Sequence, residues 1–176
     1  MKQALRQYIR QEKEKHRSEF LDWSFDICER VAESAEWKKA DVVLLYHALP
    51  DEPRLSLLLD IGIIQEKTLL LPVVVGDDLV LRHYEGANLM REGAFHIMEP
   101  TGDIFPESRY DEITLALIPG MTFDAEGHRL GRGKGYYDRL LPQLKNAHKV
   151  GICFPFQFVD VVPCEPHDQC VDEVVC

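Results

Sequence analysis

The sequence predicts an α/β domain, with three α/β/α layers around a mostly parallel, Rossmann-like sheet. Short apolar runs rich in β-formers recur at 41–46, 68–75 and 113–118, and stretches with helical spacing separate them. That alternation is the signature of strands crossing over through helices. A glycine-rich loop directly follows the third run, and ligands in such sheets gather beyond the carboxyl ends of strands.

Residues 2–35 contain neither Gly nor Pro. Leu5 and Ile9, then Phe20, Ile27, Cys28 and Val31, recur at helix spacing, which predicts two helices with a break near Arg17 and Ser18. Lys2, Arg6 and Arg10 follow at four-residue intervals and so share a face. They belong to a basic group that also holds Lys13, Lys15 and Arg17. The run 41–46 is a buried strand, and 53–65 reads as a helix with Leu55, Leu58, Leu59 and Gly62 inward. The run 68–75 is a second strand region, interrupted by Pro72, and Gly76 turns the chain into a strand over 79–84. Residues 86–110 are rich in loops. The run 113–118 is another buried strand, 136–144 a short helix, and 149–154 with 171–175 close the sheet. No repeat or long linker divides the chain, so 1–176 is expected to be one domain.

Composition narrows the function. The chain has 176 residues, 45% hydrophobic and 28% charged, an ordinary balance for a domain that builds its own core. A formal charge of −10 argues against nucleic acid as a partner. No apolar run has the length of a membrane span. Residues 1–7 lack the apolar core of a secretory signal. Five scattered cysteines fit a reducing cytoplasm better than a disulfide framework. Cys164, His167, Cys170 and Cys176 have spacings a zinc site could use, but no Cys-x-x-Cys knuckle accompanies them.

The stretch from Pro119 to Asp138 carries the most chemistry. Gly131, Gly133 and Gly135 alternate with Arg132 and Lys134, and Tyr136, Tyr137 and Asp138 follow. Glycines let the backbone press its N–H groups on a ligand, while Arg and Lys add donors suited to phosphate oxygens. The spacing is not that of a P-loop, and Gly135 stands where its metal-binding hydroxyl would be. Nor is it a dinucleotide fingerprint, because Tyr136 takes the place of the third glycine. The loop is predicted to be an anion cradle with an aromatic wall.

This stretch resembles the signature of the 5-formyltetrahydrofolate cyclo-ligase family, also called 5,10-methenyltetrahydrofolate synthetases. The resemblance extends to Lys2 and Arg6, to Asp51 and Glu52, to Leu70 through Val73, to the stretch from Gly93 to Pro100, and to His167, Asp168 and Asp172. It implies an architecture related to sugar-phosphate isomerases and coenzyme A transferases. It also implies ATP- and magnesium-dependent conversion of 5-formyltetrahydrofolate to 5,10-methenyltetrahydrofolate, with release of ADP and phosphate. Implied ATP contacts are Lys2, Arg6 and the run Arg129, Leu130, Gly131, Arg132, Gly133, Lys134, Gly135, Tyr136 and Tyr137. Implied folate contacts are His47, Glu52 and the run from Arg132 to Tyr136. Arg132, Lys134 and Tyr137 are assigned to catalysis, and Asp138 and Asp172 match metal positions. A monomer or weak homo-oligomer of the cytoplasm, acting on small molecules, is expected. The alternatives are a non-catalytic nucleotide or folate binder, or another phosphoryl- or acyl-transfer enzyme on the same fold.

Overall fold

In chain order, a computed structural model covering residues 1–93 and 96–176 runs as follows. Helices α1 (Lys2–Lys15), α2 (Phe20–Glu33) and α3 (Ala35–Lys39) precede strand β1 (Val42–Leu44), helix α4 (Ser56–Ile64) and strands β2 (Thr68–Val75) and β3 (Asp78–His83). Two small hairpin pairs follow, β4 (Met90–Glu92) with β5 (Met98–Pro100), and, after strand β6 (Leu115–Pro119), β7 (Thr122–Phe123) with β8 (Arg129–Leu130). Helix α5 (Tyr136–Leu140), strand β9 (His148–Ile152) and strand β10 (Glu173–Val175) complete the chain. Ala94 and Phe95, inside the family-like stretch 93–100, lie outside the described residues.

Six strands form one sheet in the order β10-β9-β6-β1-β2-β3. Every neighbouring pair is parallel except β2 with β3, the hairpin expected at Gly76. Strand alternation sorts the side chains into two cores. Val43, Leu45, Leu69, Leu71, Leu115, Leu117, Val150 and Ile152 pack with Ile27, Val31, Trp37 and Leu58 from α2, α3 and α4. Val42, Leu44, Leu70, Ala116 and Ile118 face the other way, onto Phe105, Tyr110, Leu140, Leu141 and Leu144. The three layers are therefore present, because parallel strands carry apolar residues on both faces.

Helix boundaries follow local chemistry. The break at 17–18 is a single 3-10 turn, Arg17–Glu19, between α1 and α2. Ser34 ends α2 in an extended conformation, and its side chain caps α3 by accepting from Trp37 N–H at 3.2 Å. No helix among the described residues is long and apolar enough to cross a membrane.

Pro72 does not interrupt its strand, which runs unbroken from Thr68 to Val75. The bond from Tyr84 N–H to Leu69 O sets the phase of the β2–β3 ladder, and Pro72 pairs with Leu81 in that register. Pro72 is thus at a non-hydrogen-bonded position towards β3, and its nitrogen faces the β1 side. The last β1–β2 ladder bond runs from Leu45 N–H to Leu70 O, and the next donor in that series would be residue 72. Proline has no N–H to offer, so the pairing with β1 ends here while the ladder with β3 is unaffected.

Candidate active site

The stretch after β6 is held by buried polar side chains whose roles the sequence did not reveal. Gln157 is fully buried and donates from Nε2 to Gly120 O at 3.1 Å and Met121 O at 2.9 Å, while its Oε1 accepts from Phe154 N–H at 2.9 Å. Asp124 fills the β7–β8 turn. Its Oδ1 accepts from the N–H groups of Glu126 and His128 at 3.0 Å, and its Oδ2 from Val162 N–H at 2.9 Å. Burial pushes this carboxyl up, but Val162 and His128 outweigh it and leave its pKa below the usual carboxylate range. A Phe-Asp pair followed by a glycine turn was the available signal for Asp124; nothing marked Gln157.

Beyond β8 the chain enters the glycine loop. Gly133 and Gly135 have φ of +104° and +71°, values that strain any residue bearing a Cβ. Gly135 is the residue from which α5 starts, so Tyr136, Tyr137 and Asp138 are delivered on the first turn of a helix. The opposite rim comes from residues 46–55. Tyr46 donates its hydroxyl to Pro53 O at 3.0 Å, Glu52 Oε2 accepts from Leu49 N–H at 3.0 Å, and Arg54 N–H reaches Ser24 Oγ at 3.0 Å.

A cavity of about 870 Å³ lies between these rims and the first turns of α1. Lys2, Arg6, His47, Glu52, every residue from Arg129 to Tyr137, and Asp138 line it. The structure thus brings these expected residues to one place from three separate parts of the chain. Pro72, Val74, Leu79 and Ile97 give the same cavity an apolar wall. Six Lys or Arg side chains border it against five Asp or Glu, a local excess of positive charge in a chain of −10. Arg10, the third residue of the basic stripe, is exposed and does not line it.

The charges are arranged specifically. Arg6 Nε donates to Gly131 O at 2.8 Å. Lys2 Nζ sits between Asp168 Oδ2 at 2.5 Å and Glu165 Oε2 at 3.1 Å. Arg132 reaches Glu52 Oε1 at 3.0 Å and Asp51 Oδ1 at 2.7 Å through Nη2. Arg129 is buried, donates to Pro119 O at 3.1 Å, stacks over Tyr137 at 5.3 Å and lies 3.6 Å from Asp138 Oδ1. Its Nε is the one buried side-chain polar atom with no partner among the described residues. The Lys134 ammonium is exposed and makes no ion pair among the described residues.

Burial drives the Tyr137 phenol well above its ordinary pKa, with Glu52 adding to the shift, so it stays protonated and serves as a hydrogen-bond donor. Desolvation lowers the His47 pKa against the opposing charge of Glu52, which keeps that imidazole neutral at pH 7.

The two expected metal positions differ. Asp138 is at the cavity wall, where Oδ1 faces Arg129 and accepts from Gln169 N–H at 3.4 Å. Its other oxygen takes no hydrogen bond among the described residues, as a carboxylate available to a cation would. Asp172 does not line the cavity. Its carboxylate accepts from Lys149 N–H at 2.8 Å beside β9, where it faces His148. Among the described residues, the cysteines of the zinc-like spacing join no group of three metal-binding side chains. Among the described residues, the group within metal-binding reach is Glu165, His167 and Asp168, into which Lys2 already points.

Comparison with known proteins shows the family of the chain. The family model described as "5-formyltetrahydrofolate cyclo-ligase family" matches residues 1–176. A probable 5-formyltetrahydrofolate cyclo-ligase of Schizosaccharomyces pombe is 32% identical over 172 residues, 86% of this chain and 82% of the relative. The 5-formyltetrahydrofolate cyclo-ligase of Mycolicibacterium smegmatis is 30% identical over 140 residues, 76% of this chain and 72% of the relative. Among solved structures, the 5,10-methenyltetrahydrofolate synthetase of Aquifex aeolicus superposes with a TM-score of 0.86 at 34% identity, over 99% of this chain and 88% of that one. Matched over residues 1–176, the chain belongs to the 5-formyltetrahydrofolate cyclo-ligase family.

Proposed function

We propose that this cavity converts 5-formyltetrahydrofolate to 5,10-methenyltetrahydrofolate with consumption of ATP. The observation that carries the reading is the convergence of cationic phosphate donors and a flat apolar wall in a single cavity.

The chemistry explains the need for both halves. A formamide carbon is a weak electrophile, and its oxygen is a poor leaving group at neutral pH. Transfer of the γ-phosphoryl to that oxygen, breaking the bond to ADP, converts it into a phosphate ester. The nitrogen at position 10 then attacks the carbon and gives up its proton to solvent, and phosphate leaves with the C–O bond's electrons, which leaves the methenyl cation between the two nitrogens. Such a transfer depends on alignment and charge stabilisation more than on a protein nucleophile.

Each side chain has a role in this scheme. Lys2, Arg6, Arg129 and Lys134 hold the nucleotide's phosphates, and Arg132 meets the charge developing on the transferred group. The N–H groups of the glycine loop approach the same oxygens. Tyr137 donates a hydrogen bond, and Tyr136 offers a ring face. Glu52 and His47 border the folate, whose pteridine fits against Pro72, Val74 and Leu79. Magnesium would be held by Asp138 together with the nucleotide's phosphates, and would supply positive charge to offset theirs. Asp138 is the carboxylate at the cavity wall, whereas Asp172 lies outside the cavity lining. Free cysteines suit a reducing cytoplasm, the compartment proposed for this protein, and it is proposed to act as a monomer or weak homo-oligomer.

Mixing the protein with 5-formyltetrahydrofolate, ATP and magnesium should raise the near-ultraviolet absorbance of the methenyl product. Folded protein that gives no such signal refutes the reading.

A further inference from the structure

Lys13 is a buried cation with no view of the cavity. It follows Lys2, Arg6 and Ile9 on the inner face of α1, two turns beyond Arg6, and its side chain is only 3% exposed. Its Nζ lies 2.9 Å from Asp51 Oδ2, and the other oxygen of Asp51 is 2.7 Å from Arg132 Nη2. Arg132 also binds Glu52. Two cations and two anions are therefore joined in one chain of contacts, Lys13–Asp51–Arg132–Glu52.

The fold does not require this arrangement. A buried ion pair is seldom worth more to stability than apolar residues of the same volume, and an apolar side chain would pack beside Ile9 without losing hydration. The charge balance is what Lys13 alters. With it, the four groups sum to zero. Without it, two carboxylates face one guanidinium, leaving net negative charge beside the place assigned to phosphates. Arg132 would then be held more tightly by its own carboxylates.

We propose that Lys13 is a positioning residue for the nucleotide: by neutralising Asp51, it frees Arg132 to turn from its carboxylate partners towards an incoming phosphate. The proposal rests on the cavity being a nucleotide site. Lys13 touches neither substrate and acts through Asp51.

The test is the binding of ATP, ADP and AMP to four proteins by titration calorimetry, with steady-state kinetics and thermal midpoints beside it. Lys13→Met should weaken ATP about tenfold, equivalent to about 1.4 kcal/mol, and weaken AMP less because AMP brings less charge. The KM for ATP should rise more than kcat falls, and the thermal midpoint should be unchanged or higher. Lys13→Arg should retain wild-type affinity. Removing the charge that Lys13 balances should make Lys13 dispensable, so Lys13→Met combined with Asp51→Asn should return to within about twofold of wild type.

Unchanged ATP affinity in Lys13→Met, equal losses for ATP and AMP, or a double variant as weak as Lys13→Met would each overturn the proposal. An unfolded double variant would make Lys13 structural and overturn it too. Wild-type protein that binds no nucleotide would overturn the nucleotide-site reading itself, an outcome distinct from all of these.

Discussion

Arg6 Nε donates a 2.8 Å hydrogen bond to the carbonyl of Gly131, tying the first helix to the loop 125 residues away. The same guanidinium lines the cavity, so it both shapes the cradle and offers charge to a ligand. Arg6→Ala should reduce kcat/KM by about 10- to 100-fold, the range expected on losing a charge-assisted hydrogen bond of about 1.5–3 kcal/mol. Arg6→Lys keeps the charge but loses the planar donor, and should recover only part of the activity. Equal activity of both variants with wild type would remove Arg6 from the site.

Arg132 is the side chain with the most to do in the proposed transfer. Arg132→Gln retains an amide to face buried Glu52 but lacks the charge. Turnover should fall on the order of 10²- to 10³-fold, as when a donor to developing negative charge is removed. Circular dichroism should remain that of the folded protein. Near-normal kcat would assign charge stabilisation elsewhere.

Asp124 predicts a stability effect with a definite sign. Its folded carboxyl titrates below the usual range, so its stabilisation is complete above the unfolded value of about 3.9 and is lost as pH falls through the folded one. Asp124→Ala should cost about 2–4 kcal/mol at pH 7, because several N–H groups lose their acceptor. Urea unfolding of the two proteins should converge as pH drops towards 3. A constant difference would show that the ionised form is not what matters.

The cysteines should separate by reactivity. Burial pushes the Cys28 thiol up to about 11, and the hydrogen bond with Cys176, with burial second, raises Cys153, whereas the same hydrogen bond, with Arg30, brings Cys176 down to about 6. A maleimide at pH 7 should therefore label Cys176 first and spare Cys28 and Cys153 until the protein is denatured. Peptide mass spectrometry reads the order directly. Native labelling of Cys28 would contradict the packing around α2.

The main sheet was legible because its strands are short apolar runs between polar bounds, as at Val42–Leu44 and Leu115–Pro119. The helical break at Arg17 was legible from a lapse in apolar spacing. The hairpin of Met90–Glu92 with Met98–Pro100 was not, since neither segment alternates, and the two-residue strands of the cradle are too short to carry a pattern. Within the site, residue types identified the anion cradle, but pairing did not show. Arg132 meets acids 80 and 81 positions away, and no local rule links such residues. Lys13 read only as one member of the N-terminal basic group, because its partner Asp51 is 38 positions away. Asp172 is a case where resemblance alone assigned a place that the contacts do not share.

Pro72 stands where β2 outlives its neighbour, on the flank that opens to the cavity. Any other residue there would carry an amide hydrogen in register to extend the β1–β2 ladder to Leu45 O, and proline withholds it. Proline makes this stretch of wall chemically mute. A flat ring can lie against it in more than one orientation, so the choice among them falls to the charged rim opposite.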